Sequence, residues 1–124
     1  MRLLNLMLVA TGGALGAALR YLLANIIKSF FISSIYGTIS VNIIGSFLIG
    51  YLISSDIKNN LSENFINFFL IIGLLGSFTT FSAFSYEVLD LINSKKYVTS
   101  LAYIFISIFI CILSAYLGTL LNKF

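Results

Sequence analysis

Gly73-Leu-Leu-Gly-Ser-Phe-Thr-Thr-Phe-Ser-Ala-Phe-Ser-Tyr-Glu87 puts hydroxyls, phenyl rings and a carboxylate where an ordinary membrane span carries Leu, Ile and Val. In hydrocarbon an unpaired hydroxyl or an irregular backbone costs several kcal/mol, so such a stretch must face protein or a water-filled cavity. It therefore reads as a polar pathway set into a membrane helix, the mark of a channel or transporter. With no proline in the chain, a helix break has to come from glycine, from β-branched and hydroxyl residues, or from tertiary contacts. The segment from Gly76 to Phe84 is the best candidate for one.

Outward from this stretch the rest of the chain reads as membrane protein. Of 124 residues, 60% are hydrophobic and 9% charged, with a mean hydropathy of +1.08, against about 25% charged in soluble domains. Four apolar blocks, about Leu3 to Ile27, Ile32 to Ser54, Phe65 to Tyr86 and Tyr97 to Leu121, predict an all-α integral membrane protein of four spans. One small membrane domain over residues 1–124 is the expectation. Short segments containing Lys28, Asp56 to Asn60, and Asn93 to Lys96 separate the blocks. The N-terminus imitates a signal peptide, but its apolar run continues past Gly16 and reads as a retained first span. The seven Lys and Arg are scattered, which argues against nucleic acid. Without histidine, and with Cys111 alone, His-based catalysis, an intrachain disulfide and a thiolate metal cluster are excluded. No nucleophile, base and oxyanion set appears, so an enzyme is not expected.

Orientation is weakly specified. Arg2, Lys58 and Lys123 fall on the terminal side and Arg20, Lys28, Lys95 and Lys96 on the other, three against four, so the positive-inside rule has little to act on. Dual insertion, with pairing to an inverted copy, is the expectation, and one fixed orientation set by other features is the alternative. In the first span Gly12, Gly16 and Ala17 supply small-xxx-small spacing for close helix approach. Arg20, one turn on, has two open readings: an anion-holding vestibule residue, or a snorkelling or capping one. In the second span Thr38 and Asn42 share a face. Asn42 is either interhelical glue or a pathway donor.

Phe78, Phe81 and Phe84 recur every three residues among Ser77, Thr79, Thr80, Ser82 and Ser85. Ring edges beside hydroxyl and amide donors would suit a small anion, and ring faces a cation; sequence does not reveal which. Carbonyls freed near Gly76 to Thr80 would suit Na⁺. Tyr103, Ser107 and Cys111 line one face of the fourth span at i, i+4 and i+8. Glu87 either caps the end of the third span or joins the pathway.

At these residues the chain resembles the Fluc-type fluoride channels, also called the CrcB family, over essentially its whole length. Gly76-Ser-Phe-Thr-Thr-Phe-Ser-Ala-Phe84 is similar to the family's Gly-Gly-Phe-Thr-Thr-Phe-Ser-Thr-Phe signature, supported by Gly16-Ala-Ala-Leu-Arg-Tyr21 and Gly37-Thr-Ile-Ser-Val-Asn-Ile-Ile-Gly-Ser-Phe47. The resemblance implies an antiparallel homodimer in the bacterial inner membrane that passively exports fluoride. It also implies a central Na⁺ on the backbone carbonyls of Gly76 and Thr79. Phe81 and Phe84 match the pathway phenylalanines, Thr38 and Asn42 the second-helix polar positions, and Tyr103 and Ser107 the fourth-helix track; Ser82 and Glu87 belong to that track as well. Ser77, Ala83 and Cys111 depart from the family pattern, and Ser77 adds a side chain beside the expected Na⁺ site. The alternative is a small dual-topology exporter of organic cations, which would need a membrane-embedded acid, usually in its first span; here that span carries Arg20 and no carboxylate.

Overall fold

The computed structural model describes residues 2–55 and 61–123; the expected loop from Asp56 to Asn60 lies outside the described residues. Among the described residues there is no strand. Four stretches are long and apolar enough to cross a membrane, as expected: α1 (Arg2–Phe30), α2 (Ser34–Ser54), a composite third span (Phe65–Asn93), and a last helix of 24 residues (Tyr97–Leu120). The third span consists of a π-helical run (Phe65–Leu75), a single turn α3 (Gly76–Phe78), and α4 (Phe81–Asn93), so the last helix is α5.

Two boundaries differ from the sequence expectation for one reason. The α1 helix runs past Ile27 to Phe30, with Lys28 in its last turn, where a cation complements the helix C-terminus. The third span runs past Tyr86 to Asn93, because Glu87 turns into the interior while Asp90 stays exposed. Charge ends a hydropathy block without ending a helix. What stops α4 is a Schellman turn: Lys96 N–H bonds the Leu91 carbonyl and Lys95 N–H the Ile92 carbonyl, both at 2.9 Å, with Lys95 left-handed at φ 59°.

Lipid offers no hydrophobic drive between helices, so the spans approach through small residues. A Cβ on Gly12 would run into the Phe69 carbonyl oxygen and one on Gly16 into the Leu74 carbonyl oxygen, so α1 and the π-helical run touch backbone to backbone. The α2 and α5 helices do the same, Gly50 against Ala115 and Gly118 against Phe47. Polar ties reinforce that pair: Ser114 Oγ donates to the Ile43 carbonyl at 2.9 Å, and Asn122 Nδ2 to the Tyr51 carbonyl at 3.0 Å. The break changes the third span's neighbours. Its first part packs on α1, whereas α4 packs on α5 and α2 around Phe84, Leu91 and Tyr103.

Candidate ion pathway

The break falls at Thr79 and Thr80, inside the expected segment, with both residues extended (ψ 156° and 117°). Asn42 of α2 sits across from it as a backbone mimic. Its Oδ1 accepts the Thr80 N–H at 2.7 Å and its Nδ2 donates to the Thr80 carbonyl at 3.0 Å. In a continuous helix the Thr80 N–H would bond the Gly76 carbonyl and the Ala83 N–H the Thr79 carbonyl. Both donors are diverted, the first to Asn42 and the second to Thr80 Oγ1 at 3.1 Å, which caps α4. The carbonyls of Gly76 and Thr79 thereby lose their helical donors. Ser77, the residue expected to crowd this point, points its hydroxyl toward α1, where a Cβ on Gly13 would lie 3.2 Å from it.

Beside the break lies a cavity of about 350 Å³ walled by Asn42, Ser46, Thr79, Phe81, Phe84 and Ser107, among others. Phe81 stands at its rim, 75% exposed, while Phe84 is buried. Their ring centroids are 5.3 Å apart at 44°, and Phe84 in turn tilts onto Tyr103 at 5.1 Å and 56°. Both are tilted pairs within the centroid range of favourable aromatic contacts. Ser107 Oγ is buried in this wall without a hydrogen-bond partner, and Cys111 follows one turn on.

Behind Phe84 is a buried polar array. Glu87, 7% exposed, accepts from Thr38 Oγ1 at 2.8 Å on one oxygen and from Tyr103 Oη at 2.7 Å on the other. Each of its two oxygens thus has one hydroxyl partner. Glu87 therefore lies mid-helix and inward, and does not cap the end of the span. On the far side of Thr80 a second cavity, of about 220 Å³, is lined by Arg20, Asn25, Thr38 and Thr80, with Arg20 Nε buried and unpartnered. Thr80 is a wall of both cavities, and Thr38 links the second one to Glu87.

A family model described as "CrcB-like protein, Camphor Resistance (CrcB)" matches residues 7–119. The chain belongs to the CrcB family. Its CrcB relatives include a protein of Campylobacter jejuni subsp. jejuni serotype O:23/36, 43% identical over 96% of this chain and 98% of the relative. Another, from Oceanobacillus iheyensis, is 46% identical over 92% and 88%, and a third, from Methanococcus maripaludis, is 40% identical over 97% of each. All three bear the name fluoride-specific ion channel FluC.

In this CrcB chain the structure brings together Thr38, Glu87 and Tyr103 by direct bonds, and Asn42, Phe81, Phe84 and Ser107 around the larger cavity. Arg20 faces the smaller cavity. Ser82 stands apart: it is exposed and bonds Thr80 Oγ1 at 3.1 Å. Asn42 ties α2 to the third span through its bonds to Thr80, as the glue reading has it, and also walls the larger cavity. Sequence reasoning did not assign Thr80 a role. Its N-cap position before Ala83, one residue after a second threonine, was the available signal.

Proposed function

We propose that this multi-pass membrane protein is a fluoride channel that lets F⁻ leave the cytoplasm down its electrochemical gradient and so relieves fluoride toxicity. The observation that carries the reading is the wall shared by the Phe81–Phe84 ring pair and the unpartnered Ser107 hydroxyl, which continues through Tyr103 to Glu87 and Thr38. The relatives' name supplies the ion. A fluoride ion sheds tightly held water only where donors replace it. Ser107 Oγ, the spare Asn42 N–H and the ring edges are such donors, and the Thr38 and Tyr103 hydroxyls are two more if they turn from Glu87. HF enters as a neutral weak acid and dissociates in a more alkaline cytoplasm, so a selective leak for F⁻ needs no ATP.

The assembly is an antiparallel homodimer, with Phe81 and Gly76, both exposed in the single chain, turned toward the second copy. The released Gly76 and Thr79 carbonyls fit a hard monovalent cation, and no group of three or more His, Cys, Asp or Glu side chains suited to a metal occurs among the described residues. Na⁺ held there would supply positive charge at the centre of an anion conductor. The test is fluoride efflux from liposomes holding the purified protein, with chloride as control; efflux of both ions or of neither overturns the proposal.

A further inference from the structure

Two side chains build the break in the third span, and only one of them belongs to that span. Thr80 Oγ1 caps its own helix and draws the Ala83 N–H away from the Thr79 carbonyl; Asn42, 38 residues earlier and on α2, draws the Thr80 N–H away from the Gly76 carbonyl. Asn42 is at once a wall of the larger cavity and the acceptor that keeps Gly76 out of the helical ladder. We infer that Asn42 is a positioning residue for the cation: by holding the Thr80 N–H, it keeps the Gly76 carbonyl free to coordinate, so that one amide sets both the anion wall and the cation affinity. This rests on the central-cation reading above.

The physical reason is that a buried N–H does not stay unbonded. Take away Oδ1, and the acceptor that helical winding would offer the Thr80 N–H is the carbonyl four residues back, which belongs to Gly76. The helix would then continue by one more bond, and that oxygen would point its lone pair at an amide instead of an ion. The Thr79 carbonyl is freed by a separate device, so the loss falls on one of the two ligands in each protomer. Removing the partner that orients a metal ligand typically weakens metal affinity by about 10–100-fold.

The test separates acceptor from donor. In Asn42→Ala both are lost, whereas Asn42→Asp keeps an oxygen toward the Thr80 N–H but puts a carboxylate into the wall of the anion cavity. Na⁺ affinity is read from the thermal stability of the purified dimer as Na⁺ replaces N-methyl-D-glucamine at constant ionic strength, and fluoride efflux is measured alongside. The expected result is a half-saturating Na⁺ concentration raised about 10–100-fold in Asn42→Ala, and one unchanged or lower in Asn42→Asp although that variant no longer conducts. Wild-type Na⁺ response in a folded Asn42→Ala dimer would overturn the inference and leave Asn42 acting on the anion alone. A wild-type dimer indifferent to Na⁺ would remove the central cation itself, and the inference with it, while leaving wild-type efflux as measured. Amide hydrogen exchange on the unmodified protein without Na⁺ needs no variant to fold: the Thr80 N–H should be protected, and fast exchange there would equally overturn the assignment.

Discussion

Replacing Tyr103 by Phe removes one oxygen and nothing else. The ring stays at its 5.1 Å contact with Phe84, but Glu87 loses the donor on one of its two oxygens. A hydrogen bond to a charged group contributes about 1.5–3 kcal/mol, against roughly 0.5–1.5 kcal/mol for a neutral pair. For an ionised Glu87 the expected destabilisation is therefore near 2 kcal/mol in the wild-type background and near 1 kcal/mol in Glu87→Gln, where a neutral amide replaces the carboxyl group. The difference, a coupling of about 1 kcal/mol, is the quantity a double-mutant cycle isolates. Reversible unfolding of the purified protein in graded detergent mixtures measures it. If the Tyr103 hydroxyl also meets the passing ion, losing even 1.4 kcal/mol of barrier stabilisation slows efflux about tenfold. Tyr103→Phe protein with wild-type stability and wild-type efflux would refute both the structural and the pathway role of the Thr38–Glu87–Tyr103 array.

The two phenylalanines should part company in stability while agreeing in function. Within the single chain Phe84 is buried with two aromatic neighbours and Phe81 is exposed with one, so Phe84→Ile should lose about 1–3 kcal/mol of aromatic pairing within the protomer and Phe81→Ile about half that; both should abolish fluoride efflux, and efflux surviving in either folded variant removes that ring from the pathway. Lys95 occupies a left-handed position that favours glycine, so Lys95→Gly should stabilise the protein by about 1 kcal/mol in the same detergent titration, and a loss instead would mean that its ammonium contributes more than the backbone costs.

Four spans were legible because hydropathy acts on each segment by itself, and the break was legible because Thr79 and Thr80, among phenylalanines and without proline, suit extended backbone better than lipid. The π-helical winding of Phe65–Leu75 was not: its residues are as apolar as any straight span, and only the close seat of Gly12 and Gly16 against Phe69 and Leu74 accompanies it. The sequence leaves Glu87 between a helix end and the pathway because the apolar block stops at Tyr86. Its two partners lie 49 residues before it and 16 after, separations that no local pattern encodes. The Asn42–Thr80 pair is of the same kind, which is why the sequence leaves Asn42 between two roles.

The partners of α2 also have an order in time. Thr38, Asn42 and the Ile43 carbonyl are bonded by Glu87, Thr80 and Ser114, all of which leave the ribosome later than α2 does. When α2 first enters the bilayer, its amide and hydroxyl have only its own backbone and α1 to turn to, and α1 offers the closely packed edge around Ala24 against Gly37. An α1–α2 pair taken alone would lack the partners that Thr38 and Asn42 have in the finished fold. The third span supplies the partners of Asn42 and Thr38, and the α2–α5 contacts of Gly50 on Ala115 and Gly118 on Phe47 need the last span, so the polar ties of α2 depend on chain that is synthesised after it.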